Sequence, residues 1–186
     1  MRLLGLSGSL RRDSYNRRLL DAAGAELTTG ATLQVYSRLG DVPPYREDHA
    51  APAAVRHLRA AVTAADAVLL ATPEYNGSVP GQLKNVLDWA SRPFPDNVFR
   101  AKPVAVVGAS TGLFGAVWAQ AELRKILRTM GADVLDEELP VGQAEQAFGE
   151  GGGLVDPALA VALGDLVHGL IGRVRAPGCT GAAAAS

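Results

Sequence analysis

The chain has 186 residues, of which 48% are hydrophobic and 20% are charged, and its formal net charge is -1. This composition is typical of a folded globular protein with a sizeable core, and the near-neutral charge gives no electrostatic case for binding nucleic acid or an anionic membrane. A single cysteine, Cys179, excludes an internal disulfide. The low cysteine count, the absence of a recognisable signal peptide and the absence of an apolar run that approaches the length of a membrane span together predict a cytoplasmic protein.

Short apolar runs alternate along the chain with segments whose apolar residues recur at helical spacing. In chain order the predicted elements are a strand at 3–6, a helix from about residue 17 that ends at Thr29-Gly30, a strand at 33–36, a short helix around 55–62, a strand at 67–71, a helix at 80–91, a strand at 103–109, a helix around 123–130 closed by Gly131, a weaker strand within 133–141 and a helix around 159–174.

This alternation predicts a parallel sheet with helices on both faces. Five strands favour a flavodoxin-like, three-layer, doubly wound sheet with the strand order 2-1-3-4-5. We expect a single domain over residues 1–175. The Pro, Gly and Ala composition that follows predicts a disordered tail over residues 176–186, and residues 143–153, with three successive glycines, have the composition of a mobile loop.

Three polar, glycine-bearing loops follow the first, third and fourth predicted strands, at residues 8–16, 73–77 and 110–115. In open parallel sheets, ligands bind at the carboxyl ends of the strands beside the switch point of the strand order. The three loops fall at that edge, and their convergence is stronger support for a binding site than any one loop.

The first loop has the composition of a phosphate-binding loop. It precedes a helix N-terminus, which favours an anion, and it adds hydroxyls from Ser9 and Ser14, a guanidinium from Arg11 or Arg12, and the amide of Asn16. An ordinary connection, in which Ser14 or Asn16 only caps the helix, explains the same residues. From the residues alone, both interpretations stay open.

Two motifs together resemble those of the NADPH-dependent FMN reductase family, which includes bacterial quinone, chromate and azo-dye reductases. The first is Gly8-Ser9-Leu10-Arg11 with Ser14 and Asn16; the second runs from Pro73 to Asn85 and continues to Asp88-Trp89. The resemblance covers roughly the first 135 residues. This chain departs from the family pattern at Gly77, where many members carry an aromatic or other bulky side chain. The departure predicts a more open pocket over the flavin and leaves substrate preference undetermined.

The resemblance implies an FMN-dependent NAD(P)H oxidoreductase with a flavodoxin-like fold. In it, the FMN phosphate would be held by the first loop, and the ring and ribityl chain by the second and third loops. The implied cofactor-binding residues are Ser9, Arg11, Ser14, Tyr15, Asn16, Pro73, Glu74, Tyr75, Asn76, Gly77, Ser110, Thr111 and Gly112. The implied acceptors are quinones, free flavin, metal oxyanions or azo compounds, reduced by a ping-pong mechanism with NADPH or NADH as donor.

The family usually forms homodimers or homotetramers, which makes the helix at 80–91 and the helix carrying Arg124 candidate contact surfaces. Trp89 and Trp118 are either interface anchors or core residues. No side chain is predicted to act as a catalytic nucleophile or base: Glu74 is the one acid/base candidate, and a role in shaping its loop explains it better. The three histidines share no metal-ligand spacing, so no metal site is predicted.

Two alternatives to the reductase stay open. One is a non-enzymatic flavodoxin-like FMN carrier, although such carriers tend to be strongly acidic and to bind phosphate without an arginine, unlike this chain with Arg11. The other is a module that binds a different nucleotide on the same fold. A protein without the yellow colour of flavin that binds another nucleotide tightly would indicate this second alternative.

Overall fold

The computed structural model describes residues 1–176 and contains a single parallel sheet with helices on both faces. The elements are β1 Arg2–Ser7, α1 Tyr15–Ala25, β2 Thr32–Val35, a 3₁₀ turn at Leu39–Asp41, α2 Ala53–Ala64, β3 Ala67–Thr72, α3 Gly81–Ala90, β4 Pro103–Ala109, α4 Val117–Thr129, β5 Asp133–Val134, β6 Pro140–Val141 and α5 Pro157–Arg175. Cys179 and the predicted tail beyond Ala176 lie outside the described residues.

The strands follow the predicted order β2-β1-β3-β4-β5, and all pairs are parallel. Alternate residues of each strand enter the cores on opposite faces, because side chains in a strand point alternately up and down. Leu70 lies in the core covered by α2, α3 and α4, whereas its neighbour Leu69 lies in the core covered by α1 and α5. All six residues of β3 are buried, as expected for the central strand of a parallel sheet.

The fifth strand is divided into β5 and β6, which pair with opposite ends of β4. Between them stand three successive acidic residues, Asp136, Glu137 and Glu138, all exposed. Charged side chains are rarely buried in the middle of a sheet, so the chain leaves the sheet at these residues and returns at Pro140. The predicted weak strand within 133–141 is therefore present as two short pieces.

The expectation that no run approaches a membrane span is wrong for α5. Its 19 residues, with a mean hydropathy of 1.3, are long and apolar enough to cross a membrane by length and composition alone. In the fold, however, one face of this helix is buried, including Leu163, Leu166, Val167 and Leu170. The apolar composition of α5 therefore serves the core on the α1 side of the sheet.

Candidate cofactor-binding site

The first loop, residues 8–14, connects β1 to α1 at the carboxyl edge of the sheet. The Gly8 N–H donates to the Ala71 carbonyl at 2.8 Å, which fixes the start of the loop beside the end of β3. Ser14 is the N-cap of α1, and its Oγ accepts from the Arg17 N–H at 3.3 Å. The helix therefore begins two residues before the predicted start, with its N-terminus facing the loop.

The first loop leaves several hydrogen-bond donors without a protein acceptor. Within residues 1–176, the backbone N–H groups of residues 12–16 donate to no other group. The Ser14 Oγ only accepts in its cap, so its hydroxyl hydrogen also stays available. Arg11 is exposed beside these groups. Capping and phosphate binding by Ser14 are thus compatible, and the donors suit a doubly charged phosphate.

Asn16, which the resemblance implies as a phosphate ligand, is bound within the protein through its side chain. It is only 2% exposed, its Nδ2 donates to the Ala109 carbonyl at 2.8 Å, and its Oδ1 accepts from the Ala109 N–H at 3.0 Å. The carboxamide therefore satisfies both backbone groups at the end of β4. It joins the first loop's helix to the start of the third loop, across the end of β3.

The second loop, residues 73–78, is a two-residue hairpin. Tyr75 and Ser78 form an antiparallel bridge, with reciprocal backbone hydrogen bonds of 3.0 and 3.2 Å. The turn residues Asn76 and Gly77 have φ values of 54° and 74°, the conformation that Asn-Gly favours in hairpins. Gly77 thus meets a backbone requirement, and the hairpin presents Tyr75, which is 46% exposed, at the rim.

Two glutamates fasten the second loop to α4. The Glu74 carboxylate accepts from the Trp118 and Ala119 N–H groups, both at 3.1 Å, and so caps the N-terminus of α4. Glu122 accepts from the Ser78 hydroxyl at 2.6 Å. These bonds to backbone groups of α4 are consistent with the interpretation that Glu74 shapes its loop. Sequence reasoning missed Glu122, because nothing local marks it as a partner of Ser78.

The third loop, residues 110–115, depends on two close backbone approaches. A Cβ on Gly142 would lie 2.2 Å from the Leu113 carbonyl oxygen, and a Cβ on Gly115 would lie 2.4 Å from the Pro140 carbonyl carbon. Neither position has room for a side chain, so the two glycines let this loop lie directly on β6. Within the loop, the Ser110 Oγ accepts from the Gly112 N–H at 3.2 Å. Thr111 is exposed.

The segment at 143–155, which includes the glycine-rich loop at 143–153, is packed against the site. Its Gln143 and Ala144 N–H groups donate to the carbonyls of Gly112 and Ser110, both at 3.0 Å. Farther along, Phe148 is 8% exposed and stacks on Tyr15 of α1. Sequence reasoning missed Phe148; the signal available was one aromatic residue in an otherwise polar, glycine-rich stretch.

The two tryptophans have different environments. Trp89 is a core residue, 3% exposed, and its Nε1 donates to the Pro43 carbonyl at 2.8 Å. Trp118 is 54% exposed and lies edge-on against Phe114, which is 60% exposed. Of the two interpretations open from sequence, Trp89 therefore has the core role, while Trp118 belongs to an apolar rim with Leu113 and Phe114 beside the second loop.

The residues at this edge fit FMN. The first loop supplies donors for a phosphate, and the second and third loops supply small residues and exposed backbone, which let a flat ring approach closely. Among residues 1–176, no group of three or more His, Cys, Asp or Glu side chains is placed to hold a metal ion.

Comparison with known proteins gives consistent matches. A family model described as NADPH-dependent FMN reductase matches residues 1–146. An NAD(P)H-dependent FMN reductase of Pseudomonas aeruginosa is 42% identical over 160 residues, covering 84% of this chain and 85% of the relative. A 2-hydroxy-1,4-benzoquinone reductase of a Burkholderia species is 35% identical over 151 residues, covering 80% and 82%. Among solved structures, the flavoenzyme NAD(P)H:(acceptor) oxidoreductase FerB of Paracoccus denitrificans superposes with a TM-score of 0.82 at 34% identity, covering 94% and 97%.

Proposed function

The chain belongs to the NADPH-dependent FMN reductase family, and from this premise we propose that it is an FMN-dependent NAD(P)H oxidoreductase whose acceptors are quinones. The observation that carries this proposal is the convergence of three loops at the carboxyl edge of the sheet, with the free donors of the α1 N-terminus among them. The quinone class is supported by the 35% identical relative named as a benzoquinone reductase. Free flavin, metal oxyanions and azo compounds are further acceptors within this proposal.

The phosphate of FMN would be held by the first loop. Ser9, Arg11 and Ser14 are the side-chain ligands, and the backbone N–H groups at the start of α1 complete the set. Charge-assisted hydrogen bonds to a phosphate are about twice as strong as neutral ones. Asn16 acts one step away, because its carboxamide is committed to the Ala109 backbone, and Tyr15 acts through its ring beside Arg11.

The ring and the ribityl chain would be held by the second and third loops. The ligands there are Pro73, Glu74, Tyr75, Asn76 and Gly77 on one side and Ser110, Thr111 and Gly112 on the other. Backbone groups of these loops would bind the polar edge of the ring, and Tyr75 would offer it a flat apolar surface. Glu74 contributes through the hairpin that it fixes, since its carboxylate caps α4.

Bound FMN supplies the redox chemistry, since a flavin takes a hydride from a nicotinamide and gives electrons to an acceptor. The chain's own residues bind the cofactor, orient it and leave one side of the site open. No side chain is required as a nucleophile or general base. Because donor and acceptor would enter through the same opening in turn, we expect ping-pong kinetics.

A homodimer or homotetramer is part of the proposal. The residues of the apolar rim, Leu113, Phe114 and Trp118, are between 54% and 69% exposed, and exposed apolar residues grouped in this way are typical of a protein contact surface. We place the activity in the cytoplasm, where the single cysteine of the chain would stay reduced.

The test is the visible absorption spectrum of the protein after saturation with FMN and desalting, followed by anaerobic addition of NADPH or NADH. Retained flavin that bleaches promptly, and is reoxidised by a benzoquinone, supports the reductase. Retained flavin that does not bleach with either nucleotide supports the flavodoxin-like carrier instead. No retained flavin after saturation contradicts the proposal and directs attention to another nucleotide.

A further inference from the structure

We propose that Phe148 is a positioning residue for the cofactor phosphate. Its ring fixes the Tyr15 ring, and the Tyr15 ring in turn holds the guanidinium of Arg11, a residue of the first loop. The proposal rests on the proposed function, because it concerns the same FMN site. It adds a residue outside the motifs and outside the range 1–146 that the family model matches.

The geometry is a row of four side chains beside the first turn of α1, here called the aromatic stack: Arg11, Tyr15, Phe148 and Arg18. The Tyr15 and Phe148 rings are nearly parallel, at 11°, with centroids 6.2 Å apart. The Arg11 guanidinium carbon lies 5.9 Å from the Tyr15 centroid, and that of Arg18 lies 4.8 Å from the Phe148 centroid. Guanidinium groups within about 6 Å of an aromatic ring are attracted to its face.

Phe148 is fixed by its own segment. It pairs with Leu154 in an antiparallel bridge, the Val155 N–H donates to the Ala147 carbonyl at 3.0 Å, and the Gly149 N–H donates to the Gly153 carbonyl at 2.9 Å. These bonds close a tight turn through the three successive glycines. The Phe148 ring is therefore held by a closed turn and by burial in the core on the α1 side of the sheet, and Tyr15 stacks on it.

The way the two arginines are held leaves their donors free. In residues 1–176, neither Arg11 nor Arg18 makes an ion pair with a carboxylate within 4.0 Å, whereas their neighbour Arg17 is paired with Asp21 at 3.0 Å. A carboxylate partner would occupy the N–H groups of the guanidinium, but a ring face does not. An arginine held over a ring keeps its planar array of donors available for a phosphate.

The same segment also reaches the third loop through the Gln143 and Ala144 N–H groups. Residues 143–155 thus contact both the loop proposed to bind the ring and the residue proposed to orient the phosphate ligand. A purely apolar role in the core would need only a side chain of suitable volume at position 148. The two guanidinium groups at the stack instead give a reason for an aromatic ring.

The test compares Phe148→Leu, which keeps an apolar side chain, with Phe148→Tyr, which keeps the ring. FMN and riboflavin, which lacks the phosphate, are titrated into each apoprotein by flavin fluorescence. We expect Phe148→Leu to weaken FMN binding about threefold to tenfold, the size expected for an aromatic pair with a cation, and to leave riboflavin binding within a factor of two. Phe148→Tyr should bind both flavins within a factor of two of the parent.

A double-mutant cycle with Arg11→Ala decides whether the effect passes through that guanidinium. If it does, Phe148→Leu changes FMN affinity less than twofold once Arg11 is absent. Equal losses for FMN and riboflavin, or a full loss in the Arg11→Ala background, would overturn the inference. Failure of the parent protein to bind FMN would instead refute the proposed function, so the two failures are distinguishable.

Discussion

Replacing Asn16 with alanine separates its two proposed roles. The sequence resemblance makes it a phosphate ligand, whereas the structure commits its carboxamide to the Ala109 backbone through bonds of 2.8 and 3.0 Å. Both residues are 2% exposed, so water cannot easily replace the lost partner. Asn16→Ala therefore leaves a buried N–H and a buried carbonyl unsatisfied at the end of β4.

The expected loss is large for one side chain. An unsatisfied buried donor or acceptor costs about 1–3 kcal/mol, and partial relaxation of the loop would recover some of that cost. We expect the apoprotein to lose about 2–4 kcal/mol of unfolding free energy. With a urea m-value of about 2 kcal/mol per molar, this lowers the unfolding midpoint by about 1–2 M. FMN affinity should also fall, because the first and third loops lose their connection.

The matched control is Asn97→Ala at the opposite end of the sheet. Asn97 is also buried, at 6% exposed, and its carboxamide also joins backbone groups: it donates to the Met130 carbonyl at 2.9 Å and accepts from the Phe99 N–H at 2.9 Å. This variant should lose comparable stability in urea. Its FMN affinity, measured by fluorescence titration well below its unfolding midpoint, should stay near that of the parent.

Unchanged apoprotein stability in Asn16→Ala, together with loss of FMN but not riboflavin affinity, would refute the reasoning. That pattern would show that Asn16 contacts the phosphate directly and that its bonds to Ala109 contribute little. Loss of stability together with weaker binding of both flavins is the result that the structure leads us to expect.

Four further predictions concern the loops and the core. Arg11→Ala should weaken FMN binding by about 1.5–3 kcal/mol and leave riboflavin binding nearly unchanged in fluorescence titrations, with Arg12→Ala showing the smaller effect. Glu74→Gln keeps an acceptor for the α4 cap and should retain the NADPH oxidation rate of the FMN-saturated enzyme; a tenfold or greater loss of that rate would contradict this. Glu74→Ala removes the cap and should lower the free energy of unfolding by about 0.5–2 kcal/mol, measured as a lower thermal unfolding temperature. Gly142→Ala should destabilise the fold in urea by more than 1 kcal/mol, because its Cβ would overlap a carbonyl oxygen of the third loop; unchanged stability would show that the loop moves freely. Burial lowers the pKa of Lys102 from its ordinary value of 10.5, so just below that pH the unfolded chain binds more protons than the folded chain. The stability contributed by this residue should therefore rise as pH increases toward 10.5. Lys102→Met should remove that rise in urea unfolding measured over a pH series, and identical pH profiles of the two proteins would contradict it.

The sequence determined the features that depend on neighbours along the chain. Apolar runs and helical spacing predicted the five α-helices and the first four strands in the correct order, and one weak strand where the structure has β5 and β6, because burial on a sheet or helix face imposes a period that can be read locally. The same alternation placed three loops at one edge of the sheet. The Asn-Gly pair at 76–77 likewise forms the hairpin turn that its backbone preferences favour.

The tertiary structure decided which distant groups meet. Asn16 and Ala109 are 93 residues apart, and Glu74 and Trp118 are 44 residues apart. Nothing in the local pattern distinguishes an amide that binds a ligand from one that satisfies a remote backbone. The placement of Phe148 on Tyr15, the division of the fifth strand and the burial of Trp89 were equally undetermined. Periodicity reports which face of an element is buried, whereas a hydrogen-bond or stacking partner is fixed only when separate elements pack together.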